Sequence, residues 1–340
     1  MRAMVLREYN RPMELTEVET PPILEDQILL KVKACGICQT DLKIFRGEIP
    51  PPIVTLPHIP GHEVAGEVVD VGEKVTGIQE GDIGVLYIYV ACHRCEWCLN
   101  GQENLCPDLK RIGFELPGGY AQYVCVSSYA FCPFDPKSPF EEMAILTDAV
   151  ATSYRAINVL GNVKPGQNVL IVGAGGLGIH GVQIAKLCGA RVLVAERKEK
   201  ALQLAEQFGA DFLIRADERP LEAIRDITKG KGVDTVIEFV GSKETLNWSL
   251  SSLKKGGKLI IVGYAPGQPF PLDTMAMHYN EWELKGARLC TKAELLQVIR
   301  LVEEKKIKPF VSKTFPFEKA NEALKVLQQE TTVGRLVLTF

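Results

Sequence analysis

The sequence lacks several features that would direct its interpretation elsewhere. Its 39 lysines and arginines do not outnumber its 42 aspartates and glutamates, and the formal net charge of −3 argues against a protein that binds a nucleic-acid backbone. No run of about 18 apolar residues is present, so no membrane-spanning helix is expected. The first residues, MRAMVLREYN, contain neither a long apolar core nor a small-residue cleavage site. We therefore expect a cytoplasmic protein.

The pattern along the chain predicts an α/β protein with more than one domain. A length of 340 residues suggests two domains, at roughly 100–200 residues each. Residues 1–149 alternate short β-like runs with Pro- and Gly-rich turns, which predicts a β-rich domain. In residues 150–289 strands alternate with helices, as in a parallel sheet covered on both faces. Residues 290–340 are too few for a third domain, and we expect them to return to the first.

Periodicity and turn residues predict individual elements in these stretches. The predicted strands are 27–34, 63–71, 119–126, 168–172, 191–196, 211–214, 233–239, 258–262 and 334–339. The predicted helices are 198–208, 221–228, 243–253, 292–304 and 318–328, and a further helical pattern runs from the glycine-rich string at 173–178 through residue 188.

That glycine-rich string has the form G-x-G-x-x-G and lies between a predicted strand and a predicted helix. In this context the first glycine permits a tight turn, the second lets the backbone approach a pyrophosphate, and the third lets the helix pack close to the strand. The pyrophosphate would lie at the positive end of the helix dipole. We predict that the cofactor-binding residues of this turn are Gly173, Gly175, Gly176, Leu177 and Gly178.

The residue that ends the second strand of this region indicates which dinucleotide binds. Glu196 is an acid at the position where hydrogen bonds to the adenosine ribose hydroxyls are made, and its charge would repel a 2′-phosphate. NAD is therefore favoured. Arg197 follows directly and is able to hold a 2′-phosphate, so NADP remains the alternative.

Four of the ten cysteines lie close together, in the pattern Cys92-x2-Cys95-x2-Cys98-x7-Cys106. In a long chain without an export signal, clustered cysteines indicate a metal site rather than a disulfide framework. Four thiolates are a common ligand set for structural zinc, and no position is left open for a substrate. An iron–sulfur cluster is the chemical alternative.

Together, five motifs make the sequence resemble the medium-chain, zinc-dependent alcohol dehydrogenase family over essentially its whole length. They are CGICQTD at 35–41, PGHEVAGEV at 60–68, the four-cysteine segment, TDAVATSYRA at 147–156 and VGAGGLG at 172–178. The resemblance implies a GroES-like, β-rich catalytic domain that is interrupted by a Rossmann domain with a doubly wound parallel sheet. It also implies chemistry in the cleft between them, and a homotetramer or dimer.

Carried over by position, the resemblance implies that the catalytic zinc is held by Cys38, His62 and Asp148, with one position open for substrate. Glu63 is a further possible ligand in the resting enzyme. Asp41 resembles the acid that orients the histidine ligand. With the four-cysteine segment, two zinc ions per subunit are expected.

The same resemblance assigns the proton relay and a contact with the cofactor. Thr40 would take the proton from the alcohol, and Lys43 stands where many members carry the histidine that completes the relay. A cofactor ribose hydroxyl or water could serve instead of Lys43. Gln39 occupies a position that is often cationic and contacts the pyrophosphate.

The expected activity is hydride transfer between a primary or secondary alcohol, or its aldehyde or ketone, and NAD(H). A polyol or amino-alcohol dehydrogenase with the same zinc chemistry is an alternative within the family. A zinc-ribbon module that binds nucleic acid is an alternative of another class, which the net charge and the glycine-rich string oppose. A zinc-free quinone or enoyl reductase would lack the cysteines and His62 listed above.

Overall fold

A computed structural model describes residues 1–329 and 333–340 of the chain. The chain divides into two compact units. The first comprises residues 1–148, 291–305 and 309–340, and the second comprises residues 149–290 and 306–308. Each has its own sheet and core. Within the described ranges, no helix combines the length and the apolar content that crossing a membrane requires.

Short strands are the main regular elements of residues 1–148, as their turn-rich sequence predicts. The strands are β1 (Arg2–Val5), β2 (Glu14–Glu17), β3 (Gln27–Ile37), β4 (Glu63–Val71), β5 (Ile83–Leu86), β6 (Tyr89–Val90), β7 (Lys110–Arg111), β8 (Tyr123–Ser127) and β9 (Phe131–Pro133). The helices are α1 (Gln39–Phe45), α2 (Glu96–Leu99) and α3 (Phe140–Ala144). The strand predicted at 119–126 starts later because the backbone of residues 118–120 bonds to residues 59–61 instead.

Residues 149–290 form a parallel sheet with helices between its strands. In chain order the elements are α4 (Ala149–Tyr154), β10 (Asn168–Val172), α5 (Gly178–Leu187), β11 (Arg191–Glu196), α6 (Glu199–Gln207), β12 (Phe212–Arg215), α7 (Pro220–Ile227), β13 (Val233–Glu238), α8 (Lys243–Ser251), β14 (Leu253–Ile261), α9 (Thr274–Asn280) and β15 (Glu283–Gly286). The strand order β12-β11-β10-β13-β14-β15 is that of a doubly wound dinucleotide-binding sheet. The predicted fold class is confirmed, and β15 is a strand that the sequence pattern missed.

The last stretch joins the first unit. It contains α10 (Lys292–Glu303), β16 (Val311–Pro316), α11 (Ala320–Gln328) and β17 (Arg335–Thr339). Helix α10 begins where Thr291 and Glu294 form a capping box, which satisfies two otherwise unpaired backbone N–H groups. Strands β16 and β17 extend the sheet of the first unit in the order β16-β17-β3-β4-β5-β9, and β8 also pairs with β3.

Three neighbouring strands of this sheet place the candidate site. Strand β3 lies between β17 and β4, and Gly36 of β3 faces Val337 of β17 on one side and Glu63 of β4 on the other. The carboxyl end of β3 therefore lies beside the start of β4 and the start of β17. Residues far apart in the sequence meet at this edge.

Candidate metal centres and cofactor-binding turn

Cys38, His62 and Asp148 converge in the interior of the first unit. Cys38 is the N-cap of α1, His62 directly precedes β4, and Asp148 ends a 3-10 turn. One sulfur, one imidazole nitrogen and one carboxylate oxygen from these residues all lie within 4.8 Å of one another. All three side chains are buried. A thiolate, an imidazole and a carboxylate fit Zn²⁺, and three such ligands leave a tetrahedral ion one open position.

Asp41 orders this ligand set from the first turn of α1. Its Oδ2 accepts a hydrogen bond from the backbone N–H of Cys38 at 2.8 Å, and its Oδ1 lies 3.4 Å from Nδ1 of His62. The Nε2 atom of His62 faces Asp148 at 3.8 Å. Burial lowers the pKa of His62, but the neighbouring carboxylates Asp41 and Asp148 outweigh it and hold the pKa well above its usual value. Asp41 thus lies where it can orient the ring.

Glu63, the further zinc ligand considered above, is not among the three convergent donors but lies next to them and pairs with Arg335. Its carboxylate accepts hydrogen bonds from Nε and Nη2 of Arg335 at 2.8–3.1 Å, and it is not grouped with the three convergent donors. Burial raises the pKa of Glu63 to about 7 although Arg335 opposes the shift. In this structure Glu63 is therefore a partner of Arg335 rather than a member of the ligand set.

Arg335 is a residue beside this ligand set that the sequence analysis missed. Its guanidinium is buried and also donates a hydrogen bond to Asp148 Oδ2. The contact with Glu63 depends on Gly36, since a Cβ atom there would lie 1.8 Å from Glu63 Oε2. The only local signal is an arginine at the start of an otherwise apolar strand, which does not identify its partners.

The four cysteines of the predicted structural site form a second cluster. The sulfur atoms of Cys92, Cys95, Cys98 and Cys106 lie within 4.8 Å of one another, and none forms a disulfide. The backbone N–H of Arg94 lowers the pKa of Cys92 to about 6, whereas burial and the adjacent thiols raise the pKa of Cys98 to about 12. Four sulfur atoms this close fit a tetrahedral zinc ion, which deprotonates the cysteines that bind it.

The residues predicted for the proton relay lie on α1, next to Cys38. The hydroxyl oxygen of Thr40 is 3.6 Å from Cys38 Sγ. Lys43 is one turn further on, so it shares a helix face with Thr40. Burial lowers the pKa of Lys43, which makes its neutral amine easier to form. Gln39, at the start of the helix, is exposed.

The glycine-rich turn has the form its sequence predicts. Gly173 follows β10 with φ of +85°, and Gly178 opens α5 so close to it that a Cβ atom would lie 1.8 Å from the Gly173 carbonyl oxygen. A Cβ at Gly175 would meet open space instead. Gly176 and Leu177 complete the turn, and Leu177 is the N-cap of α5. The backbone here is arranged as a pyrophosphate site requires.

Glu196 is tied to this turn by its carboxylate. One oxygen accepts a hydrogen bond from the N–H of Ala174 at 2.8 Å, and the other accepts from the N–H groups of Arg197 and Lys198 at 2.8 and 3.0 Å. The carboxylate is thus held at the end of β11 with its negative charge beside the turn. Arg197 is exposed.

Two family models match this chain, one in its N-terminal part and one in its central part. Residues 24–136 match the sequence model described as the alcohol dehydrogenase GroES-like domain, and residues 176–304 match the zinc-binding dehydrogenase model. The NAD-dependent alcohol dehydrogenase of Sulfolobus acidocaldarius is 35% identical over 346 residues, which cover 99% of both chains. An alcohol dehydrogenase of Geobacillus stearothermophilus is 36% identical over 341 residues, covering 99% of this chain and 98% of its own.

Solved structures show the same relationship. The crystal structure of the alcohol dehydrogenase from Aeropyrum pernix superposes with a TM-score of 0.95 at 31% sequence identity, and the match covers 100% of both chains. The likeness therefore extends over the whole length of the fold.

Proposed function

Because the chain belongs to the medium-chain, zinc-dependent alcohol dehydrogenase family, we propose that Cys38, His62 and Asp148 hold its catalytic zinc. The protein is an NAD-dependent oxidoreductase that transfers a hydride between an alcohol and its aldehyde or ketone. The observation that carries the residue assignment is the convergence of three buried donor atoms within 4.8 Å. The four-cysteine cluster is proposed as the structural zinc site.

The proposed roles of the protein residues follow from their chemistry. When bound, zinc supplies Lewis-acid stabilisation of negative charge on the substrate oxygen. During alcohol oxidation Thr40 accepts the hydroxyl proton and passes its own to Lys43, whose neutral amine forms more easily because burial lowers its pKa. Asp41 holds His62 in the orientation that presents Nε2 to the metal.

The second unit is proposed to hold the cofactor that accepts the hydride. The N–H groups of the glycine-rich turn, residues 173–178, bind the pyrophosphate at the start of α5. Glu196 would receive the adenosine ribose hydroxyls and disfavour a 2′-phosphate. Arg197 would support NADP only if its side chain reached that phosphate.

The test is metal content and activity measured on one preparation. Elemental analysis should give two zinc ions per subunit. Nicotinamide absorbance should report turnover with NAD in a panel of simple alcohols, diols, polyols and amino alcohols, with NADP assayed separately. Less than one zinc per subunit would remove the proposed chemistry, and a preference for polyols or amino alcohols would favour the alternative substrate class.

We also propose that the enzyme is a cytoplasmic homo-oligomer, a tetramer or a dimer. The cytoplasm is supported by ten cysteines that all remain free in the structure, as a reducing compartment would keep them. Light scattering coupled to gel filtration would measure the assembly, and a monomer at micromolar concentration would contradict it.

A further inference from the structure

Three buried side-chain atoms near the proposed zinc ligands have no hydrogen-bond partner in the structure. They are Asp41 Oδ1, His62 Nδ1 and Tyr120 Oη. The exposed fractions of these residues are 1%, 3% and 0%, so bulk solvent does not reach them. Buried polar groups are almost always paired in folded proteins, and a cluster of three unpaired ones needs an explanation.

Tyr120 is fixed against the segment that carries His62. Three backbone N–H groups of residues 118–120 donate to carbonyls of residues 59–61 at 2.8–2.9 Å. The ring lies so close to Gly61 that a Cβ atom there would be 2.4 Å from Tyr120 Cδ1. A glycine directly before His62 is therefore what admits the Tyr120 ring.

The charges around the Tyr120 hydroxyl indicate its hydrogen-bond partner. Burial raises its pKa well above the usual value, and the Asp41 carboxylate raises it further. The hydroxyl therefore keeps its proton and is available as a donor. Of the two Asp41 oxygens, Oδ2 is already used by the Cys38 backbone N–H. Oδ1 lies 3.4 Å from His62 Nδ1 and has lone pairs for two donors.

We propose that Tyr120 is a positioning residue of the catalytic zinc site, whose hydroxyl donates to the same Asp41 oxygen that accepts the Nδ1 proton of His62. The inference rests on the function proposed above. One acceptor shared by two donors satisfies all three unpaired atoms with small adjustments of the side chains. It also fixes the proton of His62 on Nδ1, which leaves Nε2 free to bind a metal.

Tyr120→Phe tests this role because it removes one oxygen and keeps the ring that packs on Gly61. Zinc release from the fully loaded enzyme to an excess of chelator is followed with a chromogenic indicator. Catalytic zinc should leave about tenfold faster than in the wild type, at the lower end of the effect of such supporting bonds. The four-cysteine zinc should leave at the wild-type rate. Tyr123→Phe on β8 is the matched control and should leave both rates unchanged.

A double-mutant cycle with Asp41→Asn shows whether Tyr120 acts through that carboxylate. In the Asp41→Asn background, Tyr120→Phe should add little to the release rate, because residues in one hydrogen-bond network are not additive. Full additivity, or wild-type release in Tyr120→Phe, would overturn the inference. If the wild type bound zinc only at the four cysteines, the proposed function would fail as well, so the two failures are distinguishable.

Discussion

Removing the buried guanidinium of Arg335 should destabilise the first unit far more than removing an exposed one. Arg335 is 4% exposed and donates to Glu63 and Asp148. Arg335→Met keeps much of the side-chain volume but leaves the Glu63 carboxylate without its cation and removes one hydrogen bond to Asp148. Arg2→Met is the matched control, since Arg2 pairs with Glu318 on the surface with side chains 45% and 35% exposed.

The expected difference follows from the burial of the two pairs. Breaking a buried ion pair by removing one partner costs about 3–5 kcal/mol, because a buried charge is left uncompensated. An exposed pair contributes about 0–1 kcal/mol. For a unit of this size each kcal/mol shifts the melting temperature by about 2–4 °C. Arg335→Met should therefore lower the melting temperature by about 6–20 °C, and Arg2→Met by no more than about 4 °C.

Scanning calorimetry at fixed protein and zinc concentrations measures both variants, since bound metal itself stabilises the fold. Zinc content is determined on the same samples, and the scans are repeated with excess zinc, so that metal loss is not mistaken for loss of the ion pair. The double variant Glu63→Gln/Arg335→Met also removes the Glu63 charge that has lost its partner, so it should recover part of the lost stability. Equal shifts in Arg335→Met and Arg2→Met would refute the reasoning.

Four further outcomes follow from the site and its surroundings. Asp148→Ala should cost one zinc per subunit and at least about 100-fold in turnover with an unchanged circular dichroism spectrum; full activity would show that Asp148 is not a ligand. In Lys43→Met, the rate of alcohol oxidation should rise less steeply with pH than in the wild type, because the neutral amine of Lys43, whose pKa burial lowers, is no longer there to accept the proton. An unchanged pH–rate profile would exclude Lys43 from the relay. Cys98→Ser should release the structural zinc and lower the melting temperature, and an unchanged metal content would contradict that site. Burial raises the pKa of Glu238 from 4.5 to about 7, so the stability that its protonated form provides is complete below pH 4.5 and lost as the pH rises through 7. Glu238→Gln should remove this dependence of the free energy of unfolding on pH. Identical pH–stability curves for Glu238→Gln and the wild type would contradict the prediction.

The parts of the molecule that local sequence determines were predictable. Strand β10 is predictable from its apolar run, and the glycines from local demands: a positive φ at Gly173 and the close approach of Gly178 to the Gly173 carbonyl oxygen. The four cysteines lie within one short segment, so their spacing alone indicated a common ion. Each of these signals involves neighbours in sequence, and their geometry does not depend on distant parts of the chain.

The parts that depend on long-range pairing were not predictable in the same way. Arg335 is 272 residues from Glu63, and only the pairing of β17 and β4 with β3 brings them together. Gly36 gave no sign in the sequence that it makes room for Glu63. The convergence of Cys38, His62 and Asp148 was expected only from the family resemblance, because their spacing carries no local pattern.

Charge balance explains why the buried arginine belongs with this ligand set. With zinc in place, the thiolate of Cys38 and the carboxylate of Asp148 formally neutralise its two positive charges, and Glu63 would add an uncompensated negative charge. Arg335 cancels that charge and also donates to Asp148, so it restrains the carboxylate without adding to the ligands. Isolated buried charges are unfavourable unless paired, and removing any one member of the set should disturb the others. The proposed zinc ligands and the Arg335–Glu63 pair therefore form one electrostatic unit, at the edge where β3, β4 and β17 meet.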